Sequence, residues 1–197
     1  MINSGYLYLG ITSIIFGTFE VVSKSIHGID AVQLNFLRFL IGGIVMLPFA
    51  VREIRRKNIK LTLKDFLSFF LLGTLFVTIS MVLYQIALAK SSASLTVFIF
   101  SSNPLFIAIF AFFIRRERPN VLVLTGILTG VFGLALITNP FAVDFNAYIL
   151  YSVAAAVGFS FYTVLMRGVT GKFGNLVATT LVIVCGTVTL FFYLILL

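Results

Sequence analysis

An all-α, polytopic membrane bundle of about seven helices is the fold class this sequence predicts, and three observations predict it. Of its 197 residues, 60% are apolar and 10% charged, with a mean hydropathy of +1.15. A soluble domain keeps roughly a quarter of its residues charged to cover its surface. The apolar residues gather into seven long runs, each close to the about 20 residues a helix needs to cross the hydrocarbon core. The charges fall almost wholly in the links between those runs. Lipid is therefore the solvent of this chain.

The first span reads as Tyr6–Ile26. It lacks a basic leading segment and its apolar run is long, so it is a span rather than a cleaved signal. A short loop with His27 and Gly28 leads to Ala31–Val51, and then come Phe66–Ala89, Ser92–Ile114, Val121–Thr138, Ala147–Met166 and Leu176–Leu196. The last five contain no Asp, Glu, Lys or Arg; Glu20 and Arg38 are the charges inside the first two. The net charge of +8 does not point to nucleic acid, because it is dealt out in loops. Arg52, Arg55, Arg56, Lys57, Lys60 and Lys64 follow the second span, Arg115, Arg116 and Arg118 the fourth, Arg167 and Lys172 the sixth. The opposite side holds Lys24 and Lys90, and the loop from Asn139 to Asn146 has no basic residue. That bias orients the N-terminus toward the cytoplasm, in the cell membrane.

A faint internal repeat lays Phe16-Gly17-Thr18-Phe19-Glu20 over Phe159-Ser160-Phe161-Tyr162-Thr163 without a gap, and the same offset pairs Gly43 with Gly186. The sixth span lies five after the first, so the two copies run through the membrane in opposite directions. Inverted repeats of this kind build alternating-access transporters with a site between the halves.

Glu20 and Arg38 approach the same depth from the outer side, about 9 Å in at 1.5 Å per residue. A charge inside the bilayer usually faces a bundle interior or a water-filled cavity. A structural ion pair, Glu20 with Arg38 or with Lys24 one turn on, is the competing explanation. Tyr84 and Gln85 bring polar groups to the end of the third span, and Ser101, Ser102 and Asn103 precede Pro104 in the middle of the fourth. Proline removes a backbone donor and frees a carbonyl, so the fourth helix is expected to kink there. Ordinary interhelical bonding would use the same residues. Gly126, Gly130 and Gly133 have the small-xxx-small spacing of a packing or dimer face. The basic stretch 52–64 reads as a solvated orientation signal that also touches anionic lipid. His27 and Cys185 are single residues of their types, so neither a metal site nor an intrachain disulfide is expected. The absence of serine–histidine, zinc-type and Gly-rich phosphate motifs speaks against an enzyme, a cofactor or an ATP-driven pump.

Tyr84-Gln85-Ile86-Ala87-Leu88-Ala89-Lys90-Ser91-Ser92-Ala93-Ser94, then Asn103-Pro104-Leu105-Phe106 and Arg116-Glu117-Arg118-Pro119, resemble the EamA repeat of the drug/metabolite transporter superfamily. Leu37-Arg38-Phe39 leading to Pro48 is similar to the second helix of that repeat. Phe16-Gly17-Thr18-Phe19 resembles its opening motif, with phenylalanine where the family has tryptophan. The resemblance implies one complete five-helix repeat over residues 5–140 and the start of an inverted second repeat over 146–197. It also implies secondary transport of small metabolites through a cavity lined by the first four helices of a repeat, the fifth serving packing or dimer contact. Three helices of the second repeat are then lacking. The sequence is expected to be a fragment first, and otherwise to need a complementing chain or a homodimer. A non-transporting membrane subunit or scaffold is the rival reading. Glu20, Arg38, Tyr84, Gln85, Asn103 and Pro104 are the residues expected to line or shape the cavity for a small-molecule substrate.

Overall fold

The computed structural model describes residues 4–26, 28–117, 120–138 and 146–196. His27, Arg118 and Pro119 lie outside the described residues, as do residues 139–145 and the side chain of Glu20. The chain divides at Asp30 into two units. The first consists mainly of helix α1 (Ser4–Ser25). Its Leu7, Ile11, Ile14 and Ile15 are exposed, while Thr12 and Thr18 donate to the carbonyls of Tyr8 and Ile14 at 2.7 and 2.8 Å. Apolar side chains outside and hydroxyls folded onto the helix's own backbone suit a hydrocarbon surround.

The second unit holds α2 (Ala31–Arg56), α3 (Leu63–Lys90), α4 (Ala93–Arg115), α5 (Val121–Thr138), α6 (Ile149–Phe173) and α7 (Asn175–Leu196). Among the described residues, α2, α3, α4, α6 and α7 are each long and apolar enough to cross a membrane. The burial pattern is that of a membrane protein. Asn35, Ser80, Gln85, Thr96, Ser152, Ser160 and Thr180 are buried, whereas Ile41, Ile44, Leu122, Leu128 and Phe132 are exposed. Water would not tolerate that distribution over so much surface.

Helix directions follow from which residues meet. Phe36 lies against Phe191 and Gly43 close to Val184, so α2 and α7 are antiparallel. Gly73 meets Gly186 and Thr78 meets Thr189, so α3 and α7 are parallel. Ser80 faces Gly158 and Asp65 pairs with Lys172, which makes α3 and α6 antiparallel. Asn103 bonds Ser160 and Glu117 bonds Arg167, so α4 runs with α6. Helices α2, α3 and α4 thus alternate in direction, and so do α6 and α7, as crossing a membrane in turn requires.

Two helices outrun the expected spans. Helix α2 continues from Val51 to Arg56 and α6 from Met166 to Phe173, because charged residues end the apolar run without ending the helix, and Arg, Glu and Lys are good helix formers. Helix α3 begins earlier than expected, at a capping box: Thr62 N–H donates to Asp65 Oδ2 at 2.9 Å and Asp65 N–H to Thr62 Oγ1 at 3.3 Å.

The tightest crossing is backbone to backbone. A Cβ placed on Gly73 would lie 2.5 Å from Gly186 N and Val182 O, and one on Gly186 would lie 2.5 Å from Gly73 O. These contacts are with backbone atoms, which cannot swing aside as the end of a side chain can. Gly73→Ala must push α3 off α7, and a loss of about 1–3 kcal/mol in stability is expected, the usual cost of overpacking. Thermal unfolding in detergent reads it out, and an unchanged melting temperature contradicts this crossing.

Candidate functional site

Two spans lose their regular helix near mid-length. In α3, residues Thr74–Ser80 form a π-helical stretch, a feature frequent at functional sites. The wide turn is held from three sides. Asn35 Nδ2 of α2 donates to Val77 O at 3.1 Å, Thr78 Oγ1 meets Thr189 Oγ1 of α7 at 2.7 Å, and Ser80 Oγ reaches back to Leu75 O at 2.9 Å. On the fourth side Gly158 of α6 makes room, since a Cβ there would lie 2.6 Å from Ser80 Oγ.

In α4 the helix is interrupted at Ser102, between Ala93–Ser101 and Asn103–Arg115. Pro104 supplies the cause expected from sequence, a missing N–H inside a helical run. Ser102 closes the break locally, its hydroxyl donating to Ile99 O at 2.6 Å. The carbonyl of Asn103 is reached by Ser160 Oγ at 3.0 Å, while the same hydroxyl lies 2.6 Å from Ala156 O. Ser160 has one hydrogen to divide between two carbonyls.

Both interruptions thus adjoin one turn of α6, Gly158–Ser160. The residue between them, Phe159, is half-buried and touches a ring from each broken helix: Phe76 at 5.8 Å and Phe100 at 5.4 Å between centroids. Tyr162 stacks flat on Phe76 at 4.5 Å. The aromatic run continues from Phe100 to Tyr84 at 4.4 Å and from Phe76 to Phe39 at 5.4 Å, with the Arg38 guanidinium 5.5 Å from the Phe39 ring. Arg38 and Tyr84 are therefore joined to a single chain of rings, whereas Asn103 meets α6 through its carbonyl, at Ser160. Gln85 is buried beside Tyr84 in sequence. Pro104 points elsewhere, into a groove of about 460 Å³ shared with Val123 and Ile127 of α5. Glu20 belongs to α1 and its side chain is outside the described residues. Around Gly126, Gly130 and Gly133 no atom lies within 4 Å of an added Cβ, so that face of α5 is open.

Sequence reasoning missed four polar residues here: Asn35, Ser80, Ser152 and Ser160, all fully buried. Asn35 Oδ1 and Ser152 Oγ have no hydrogen-bond partner among the described residues. A buried unsatisfied oxygen costs about 1–3 kcal/mol, so such atoms call for an explanation. Among the described residues no three His, Cys, Asp or Glu side chains gather where a metal could bind.

One end of α6 is tied on both flanks. Lys172 pairs with Asp65 at the start of α3, and Arg167 pairs with Glu117 just past α4 at 2.9 Å, with Arg115 at 3.8 Å from the same carboxylate. The exposed Arg167–Glu117 pair contributes about 0–1 kcal/mol and can hold a position without locking it, whereas Asp65 is buried and is held by Thr62 as well as Lys172.

Residues 3–139 match the EamA-like transporter family. The chain is 33% identical over 176 residues to an uncharacterized transporter of Clostridium kluyveri, covering 84% of this chain and 56% of that one. It is 28% identical over 183 residues to the uncharacterized inner membrane transporter YicL of Salmonella typhimurium, covering 88% and 61%. It is 32% identical over 151 residues to the S-adenosylmethionine uptake transporter of Rickettsia conorii, covering 75% and 49%. The chain thus spans about half the length of the curated relatives it matches. No solved structure matches it significantly.

Proposed function

The chain belongs to the EamA-like transporter family and is an integral membrane protein, and from that premise we propose that it moves small polar or amphipathic metabolites across the cell membrane by alternating access. The observation that carries this reading is the meeting of two interrupted helices, α3 at Thr74–Ser80 and α4 at Ser102, on the Gly158–Ser160 turn of α6. Irregular backbone at membrane depth is tolerated where it lines a cavity or is buried in protein, and discontinuous helices form the sites of many secondary transporters. A scaffold subunit has no use for two such interruptions side by side.

Residues 5–140 then form one repeat and 146–197 the start of an inverted second, with the N-terminus and the basic loops cytoplasmic. The antiparallel packing of α2 on α7, counterparts at the repeat offset, supports this division. Arg38, Tyr84, Gln85 and Asn103 face or support the cavity, and Pro104 shapes it through the break in α4. Gly126, Gly130 and Gly133 offer a contact face to a second copy or a complementing segment. Rocking of the repeats would open and close the end of α6 at the exposed Arg167–Glu117 pair, at a cost that a weak exposed pair permits.

The relatives named for S-adenosylmethionine uptake supply the first substrate to try. A sulfonium cation and an adenine ring both suit π faces, which Phe76, Phe159 and Tyr162 provide, and a carboxylate suits Arg38. The test is uptake of labelled S-adenosylmethionine and a panel of amino acids and nucleosides by cells lacking their own carriers. Expression of the protein should raise uptake of at least one compound, and Phe159→Leu, which keeps an apolar side chain and loses the π face, should raise its KM about three- to tenfold. Absence of uptake and of efflux across the whole panel, with the protein present in the membrane, would sink the transporter reading.

A further inference from the structure

We propose that the end of α2 carries a binding site for an anionic phospholipid, with Arg52 and Arg55 holding the headgroup phosphate. The side chains that form it are Leu47, Pro48, Val51, Arg52 and Arg55, which line a shallow groove of about 470 Å³. Their spacing puts them on one face of the helix. The first three are apolar and the last two carry guanidinium groups, so the groove is greasy along its length and cationic at one end. An acyl chain and its phosphate have that same polarity.

Depth agrees. At 1.5 Å per residue, about 20 residues cross the hydrocarbon core. Counted from the start of α2 at Ala31, that distance ends near Ala50, and the helix continues to Arg56. Arg52 and Arg55 therefore stand at headgroup level, while Leu47 and Val51 stand against acyl chains.

Charge agrees as well. Glu53, the acid nearest in sequence, is taken by Arg56 at 3.3 Å and Lys57 at 2.8 Å. Asp65, the next acid, is taken by Thr62 and Lys172. No described ion pair involves Arg52 or Arg55, and Lys60 and Lys64 lie in the same stretch. Two forked donors three residues apart on one helix match the geometry of a phosphate diester better than a single ammonium does. The arrangement separates two jobs within one basic stretch: Arg56 and Lys57 satisfy Glu53, and Arg52 with Arg55 is left to bind lipid.

Native mass spectrometry of the full chain, exchanged into mixtures of phosphatidylglycerol and phosphatidylcholine, tests this. The protein should retain phosphatidylglycerol preferentially, and Arg52→Gln/Arg55→Gln should reduce that retention about tenfold. Arg56→Gln/Lys57→Gln, which removes the same formal charge from the same stretch, should leave it within about twofold. Excess inorganic phosphate should not displace the lipid, because it lacks the acyl chains. Equal losses in the two double variants would reduce the site to diffuse attraction. Displacement by phosphate, or no preference between the two lipids, would also overturn it.

Discussion

Asn35→Val is expected to leave the protein about as stable as it is and to cut transport about tenfold, the weight of one buried polar interaction. Asn35 is fully buried, with one end of its amide satisfied by Val77 O at 3.1 Å and the other, Oδ1, without a partner. The bond contributes about 1 kcal/mol and the unsatisfied oxygen costs about 1–3. Losing the bond and adding the volume of valine cost stability, and removing the unsatisfied oxygen restores it, so little net change is expected. A residue that does not help the resting protein has to help another state. Asn35 holds the π-helical stretch of α3 through Val77, so its loss should free that stretch to take regular α-helical form and misplace Phe76 and Ser80. Melting temperature and uptake, measured on the same membranes, separate the effects. Unchanged uptake would show that the π stretch has no part in transport.

Arg38→Ala should abolish uptake to within assay noise, a loss of more than about tenfold, while membrane expression stays intact. An arginine inside a spanning helix costs about 2.5–3.5 kcal/mol on insertion scales, so alanine should insert more readily. Arg38 is half-buried in α2 and its guanidinium sits 5.5 Å from the Phe39 ring, at the head of the aromatic run that reaches Phe159. If it receives the anionic part of a substrate, Arg38→Lys keeps the charge but loses the forked geometry and should be intermediate. Full transport by Arg38→Ala would remove the residue from the site.

Much of this architecture was legible in the sequence, since apolar runs and the placement of loop charges are set by the solvent alone. The helices, the alternation of α2, α3 and α4, and the interruption beside Pro104 all follow from properties a residue carries wherever it is: hydrophobicity, charge, a missing N–H. The π-helical stretch was not legible. Thr74-Leu75-Phe76-Val77-Thr78-Ile79-Ser80 reads as an ordinary apolar helix, and what widens its turn lies on other helices, at Asn35, Gly158 and Thr189. The same holds for close packing. The glycines with the expected spacing, on α5, have open space before them, whereas Gly73 and Gly186 have no such spacing and touch backbone to backbone. A small residue permits a contact, but only the partner helix decides whether it is made. Asn35, Ser152 and Ser160 were passed over for a related reason. A lone small polar residue in an apolar helix is common, and only its burial and what its polar atoms meet, or fail to meet, mark it out.

The account rests on a water-accessible cavity at the junction of the two interrupted helices. The most direct measurement is labelling of Asn103→Cys, in a Cys185→Ser background, by a membrane-impermeant thiol reagent in sealed membranes. Asn103 lies at the break near the middle of α4, so lipid or packed protein would shield it completely. The account predicts labelling from one face of the membrane, slowed by any compound the protein transports. No labelling from either face, with an exposed loop cysteine labelled in parallel, would contradict the cavity and favour a sealed scaffold.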